Sequence, residues 1–136
     1  MNLANGKQII ESAHKTLNTG RISSFLDFVT DDFVYESNAG PAGRGPVGLV
    51  GKAEFLHFWE PVFAVVKTHT VPEKITISGS LLRVQLSAVI THKETGAKLE
   101  ESYRQIITFR DAKFSRISEY HDTGKMNAFC RMVMTA

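Results

Sequence analysis

A single cysteine, Cys130, excludes an intrachain disulfide, and a reducing compartment is the simpler expectation. No apolar run approaches the ~20 residues needed to span a bilayer, so no membrane partner is expected. Lysine and arginine are scattered without a basic run, and a net charge of +2 is too small to argue for nucleic acid. The opening MNLANGKQII has neither a basic region leading into a long apolar stretch nor a small-residue cleavage site, which points to a cytoplasmic protein. Histidines 14, 57, 69, 92 and 121 share no metal-ligating spacing, and neither metal nor cofactor is expected.

What is present fits one globular domain over residues 1–136. At 43% hydrophobic and 22% charged the chain is far from disorder, and it is long enough to need no disulfide or metal staple. Ile9, Ile10, Ala13 and Leu17 recur at helical spacing over 7–17, and Asn18-Thr19-Gly20 supplies a stop. Ser23 or Ser24 caps a second, shorter helix carrying Phe25, Leu26, Phe28 and Val29. Phe33 to Glu36 reads as a short strand, and the glycine- and proline-rich residues 38–51 as a long loop. From Lys52 a third helix carries an apolar stripe of Phe55, Phe58, Trp59, Val62, Phe63 and Val66, with Pro61 expected to kink or restart it.

Beyond Val71 the period becomes two, and strands around Ile75, over 82–90, 98–110 and 113–121 form a meander. Residues 125–134 read equally as a short helix or a tail. Regular pairing about Asp111-Ala112 sets Phe109 opposite Phe114, Gln105 opposite Ser118, Tyr103 opposite Tyr120 and Glu101 opposite Asp122. Arg104 with Glu119, and Ser102 with His121, then face outward. Pairing about Thr95-Gly96 sets Leu86, Ala88 and Ile90 opposite Gln105, Tyr103 and Glu101.

That inner face carries polar groups a solid core would avoid, since each unpaired one costs about 1–3 kcal/mol. A pocket for a small hydrophobic molecule is expected, its mouth near Glu101 and Asp122. Two adjacent carboxylates also discourage joint ionisation.

The order of elements, together with Leu17-Asn18-Thr19-Gly20, Asp31-Asp32-Phe33, Gly51 to Phe55 and the ending Ile117 to Thr123, resembles the nuclear-transport-factor-2-like superfamily. That ending looks most like its SnoaL-like and ketosteroid-isomerase-related members. The resemblance implies an α+β domain, a cone-shaped curved antiparallel sheet wrapped around N-terminal helices (cystatin-like). In SnoaL-like cyclases the proposed acid/base aspartate falls on Asp122. The isomerase pattern does not carry over: its base falls on Ser37, its oxyanion-hole acid on Gln105, and its tyrosine near Ala13 and His14. The Arg-x-Asp motif of limonene-epoxide hydrolases has no counterpart.

The expected function is therefore that of an isomerase, cyclase or hydrolase-type enzyme acting by general acid/base catalysis on a hydrophobic oxygenated substrate. Asp122 would move the proton and Glu101 would raise its pKa. Tyr103, Gln105, Tyr120, Ser118, Trp59 and Tyr35 would bind the substrate. The competing expectation is a non-catalytic ligand-binding or dimeric assembly domain. A homodimer is also expected through the outer sheet face, part of which Leu81, Ser87 and Val89 leave weakly polar. The string Gly43-Arg44-Gly45-Pro46-Val47-Gly48 imitates a dinucleotide fingerprint but lacks a surrounding βαβ unit.

Overall fold

A computed structural model describes residues 2–40 and 46–134. Helix α1 (Leu3–Asn18) starts where the Asn2 side chain accepts from the Asn5 amide at 2.9 Å, and it turns Ile10, Ala13 and His14 inward. A four-residue helix α2 (Ile22–Phe25) and a 3₁₀ turn over Leu26–Phe28 lead into strand β1 (Val29–Ser37). Val47–Val50 pairs antiparallel with β1 as strand β2, so part of the expected loop is extended structure. The alternation of Val47, Leu49 and Gly48, Val50 is too short to stand out against the surrounding glycines. The first half of the dinucleotide-like string, residues 43–45, lies outside the described residues, and its end enters β2.

Gly51, at φ +85°, turns the chain into helix α3 (Lys52–Val65) while its amide bonds the Phe33 carbonyl at 2.7 Å. The helix does not restart at Pro61, which lies on its exposed side. Strand β3 (Val66–Ser78) follows without a loop, then β4 (Leu81–His92), β5 (Lys98–Arg110) and β6 (Lys113–Tyr120). The C-terminal segment is a helix, α4 (Thr123–Met134).

The sheet is open, curved and mostly antiparallel, in the order β2-β1-β6-β5-β4-β3. One pair departs from the antiparallel expectation: β1 runs parallel to β6. Two bulges help it to curve. Glu73 is an extra residue between Pro72 and Lys74, and Ser115 is extra between Phe114 and Arg116. Leu82, Val84, Leu86 and Ala88 of β4 face Ile107 and the helices, and the core gathers Ile10, Phe25, Val29, Phe33, Phe55 and Phe114. A smaller cluster, Leu99, Phe129 and Val133, holds α4 to β5, with Ile90 packed against it.

The β4–β5 register sits two residues from the predicted one: Leu86 opposes Tyr103, Ala88 opposes Glu101, and Ile90 opposes Leu99. The hairpin closes at His92 and Ala97, leaving a wider turn than assumed. A slip of two preserves which side faces inward. The β5–β6 slip is one residue, and it does not.

Candidate functional site

Asp111 and Ala112 both take positive φ, 52° and 62°, as a two-residue turn of the primed type requires, and Phe109 opposes Phe114 as predicted. Ser115 then stands unpaired, and beyond it Ile107 opposes Ile117, Gln105 opposes Glu119 and Arg104 opposes Tyr120. The expected partners Ser118, Tyr120 and Asp122 therefore leave the inner face, and Glu119 and His121 enter it. This corrects three predicted site positions. Ser118 is half-buried on the other side, Tyr120 is 51% exposed, and Asp122 is exposed, its carboxylate accepting from the Lys125 amide at the start of α4. The expected outer-face pair Arg104–Glu119 and the outward His121 fall with the same register. His92, at the β4–β5 turn, is buried against Thr95.

Between the sheet and the helices lies a cavity of about 110 Å³. Five predicted residues line it: Tyr35 from β1, Trp59 from α3, and Glu101, Tyr103 and Gln105 from alternate positions of β5. Glu119, His14, Thr68 and Thr70 also line it, among largely apolar neighbours such as Phe55, Phe63 and Ile107. Sequence reasoning missed Glu119, His121 and His14 as site residues.

Beside the cavity is a continuous hydrogen-bonded chain. His121 Nδ1 lies 2.6 Å from Glu101 Oε1, and its Nε2 lies 3.0 Å from Glu119 Oε1. Both ring nitrogens face carboxylate oxygens, an arrangement only the doubly protonated imidazolium satisfies. Burial works against that charge, but the bonds to Glu101 and Glu119 and their negative charges prevail, raising its pKa to about 10. Glu119 Oε1 also accepts from Tyr35 Oη at 2.5 Å, and Glu119 Oε2 accepts from Gln105 Nε2 at 2.6 Å. Burial pushes the Glu119 carboxyl up, yet the bond and charge of His121 and the bonds from Tyr35 and Gln105 hold it below its ordinary value. Tyr35 and Tyr103 are both held well above the usual phenol range, by burial first and then by the charge of Glu119. Tyr103 stacks on the His121 ring at 4.4 Å, fixing its plane.

The chain continues through Gln105 Oε1 to His14 Nε2 at 3.4 Å, and from His14 Nδ1 to Thr70 Oγ1 at 2.6 Å. Burial lowers the His14 pKa, so its ring is neutral, with Nε2 donating and Nδ1 accepting the Thr70 proton. Glu119 is bonded at both oxygens. Glu101 is bonded at one only: its side chain is 1% exposed, and Oε2 has no partner. No group of His, Cys, Asp and Glu among the described residues is arranged to hold a metal ion.

The chain matches the family of the SnoaL-like domain over residues 10–117. No curated protein matches it. Among solved structures it is similar to a nuclear-transport-factor-2-like protein of unknown function from Burkholderia pseudomallei, with a TM-score of 0.80, 18% identity and 100% of each chain covered. It is also similar to a candidate polyketide cyclase from Xanthomonas campestris, at 0.79 and 16%, covering 96% of this chain and 99% of the other. A third likeness is to an epoxide hydrolase of the LEH-like type from Mycobacterium tuberculosis, at 0.75 and 12%, covering 98% and 94%. At these identities the likenesses establish the fold.

Proposed function

The chain belongs to the SnoaL-like domain family, and from that premise we propose that it is a small-molecule enzyme working by general acid/base catalysis on a compact, hydrophobic, oxygenated substrate. The observation that carries this reading is Glu101 Oε2, a buried carboxylate oxygen without a partner on a residue that lines the cavity. Its sister oxygen is held by His121, which fixes the direction in which the free oxygen points. His121 is a positioning residue, because both its N–H groups are engaged. The cavity is of the order that admits a single small ring.

With an enolisable ketone, Glu101 Oε2 takes the proton next to the carbonyl. The C–H bond breaks, its electron pair forms a carbon–carbon double bond, and the carbonyl π pair moves onto oxygen. Return of the proton to the same carbon is exchange; return to another carbon of a conjugated substrate is isomerisation. Such proton transfer is worth about 10²–10⁴-fold in rate.

The test is loss of α-proton NMR signals from acetophenone, cyclohexanone and 2-indanone in D₂O. The protein is expected to accelerate exchange of at least one of them. Glu101→Gln is expected to lower that acceleration about 10²-fold or more, and Asp122→Asn to keep it. Full retention by Glu101→Gln, or no acceleration of any of the three, overturns the reading.

A further inference from the structure

Two more buried polar atoms on cavity-lining residues lack partners, Trp59 Nε1 and Thr68 Oγ1. They contrast with a near neighbour: Thr70, two residues along β3, gives its hydroxyl proton to His14 and its amide to Asn18. An indole N–H can only donate, and an ionised carboxylate such as Glu101 can only accept. The cavity therefore presents one unmet acceptor and at least one unmet donor, which leaving dry is unfavourable.

Trp59 is also held rigidly. Its ring meets Tyr35 edge-on at 5.7 Å and Phe58 edge-on at 5.1 Å, and lies tilted against Phe63 at 6.0 Å and Phe55 at 6.4 Å. Phe55, Trp59 and Phe63 recur every four residues on α3, so one helix face presents three of the cavity's aromatic side chains. A donor fixed by four ring contacts needs no reorganisation when charge develops on a ligand oxygen.

We infer that Trp59 determines specificity, its indole N–H, with the Thr68 hydroxyl, binding the carbonyl oxygen of a neutral ligand whose acidic hydrogen faces Glu101. The inference rests on the acid/base reading of the cavity and adds the polarity of what it takes. A cationic amine would pair with Glu101 and leave the indole donor bare. A hydrocarbon would leave both bare. A neutral carbonyl compound with an acidic hydrogen meets both.

Trp59 is the chain's one tryptophan, so its indole N–H gives one assignable NMR signal. Acetophenone is expected to bind about three- to tenfold more tightly than ethylbenzene, its near-isostere without the acceptor, and to move the indole signal downfield where ethylbenzene does not. Trp59→Phe keeps a ring and removes the N–H, and is expected to bring the two affinities together; Thr68→Val is expected to narrow the gap. Equal affinities in the unaltered protein, binding of neither compound, an unchanged ratio in Trp59→Phe, or tighter binding of benzylamine than of acetophenone would each overturn the inference. The two readings fail separately. Exchange of α-protons with an unmoved indole signal sinks the Trp59 assignment alone, and an indole shift without exchange sinks the catalytic reading alone.

Discussion

At the turn end of the β5–β6 hairpin, Arg110 donates to Asp32 on β1, their side chains 53% and 65% exposed. At the other end His121 lies between Glu101 and Glu119, with side chains 9%, 1% and 12% exposed. The same hairpin contributes to both sets of charges. The bond from Arg110, with that from Thr30, pulls the Asp32 carboxyl down to about 2, yet water stands ready to replace either partner. In the buried trio both ring nitrogens of His121 rest on the two carboxylates and water is shut out, so removing one member strands a charge. The difference teaches that an ion pair's importance is set by what its members would touch if it broke.

The sharpest way to break this comparison is to move single residues in or out of β6. Deleting Ser118 shifts every later residue by one, turning Glu119 and His121 outward and Tyr120 and Asp122 inward. It is expected to cost more than about 4 kcal/mol, read by urea denaturation. Deleting Ser115 removes the bulge and keeps the pairing on both sides of it, so a clearly smaller loss is expected. Equal losses from the two deletions would mean that the bulge does not set the register.

A smaller effect appears on titration. The folded His121 pKa of about 10 lies above the ordinary imidazole value of 6.5, so its stabilisation is complete below about pH 6.5 and fades as the pH rises towards 10. Between those limits the unfolded chain has lost a proton that the folded chain keeps. Unfolding free energy should fall with a slope of up to about 1.4 kcal/mol per pH unit. His121→Gln should flatten that slope, and a slope unchanged in this variant would remove His121 as its source. The smallest effect belongs to the other end: Asp32→Asn should leave the denaturation midpoint where it is, with or without added salt. A resolvable drop would show that exposure had been misjudged as the deciding variable.

Much of this was legible in the chain. Strict alternation along β4 and β5 identified Leu82, Val84, Leu86, Ala88 and Ile90 with Glu101, Tyr103 and Gln105 as one inner face, because a two-residue slip leaves parity intact. Beyond the turn the prediction for β6 failed for one physical reason, an extra residue. The signal was there. Phe114 and Ile117 are both apolar and both buried, three positions apart, and no regular strand can turn both inward. The parallel contact of β1 with β6 left no comparable trace, since nothing local in residues 29–37 names a partner far along the chain. His14 was hidden differently: on a helix whose apolar spacing was recognised, a lone histidine gives no hint of the threonine and glutamine that meet it.

The parallel β1–β6 contact also bears on the order in which the molecule can assemble. Tyr35 and Glu119 are separated by 84 positions, and His14 and Gln105 by 91. Such distant closures come at a high entropic cost and favour slow folding. A chain emerging from its N-terminus exposes His14, Tyr35, Glu101 and Gln105 well before Glu119 and His121 exist to receive them. Until then β1 and β5 are both open edges, each with a row of unpaired amides and carbonyls. Docking of β6 seals the two edges and brings Glu119 and His121 to Glu101, Tyr35 and Gln105 in one event, so the last strand to be made is the one on which the interior waits.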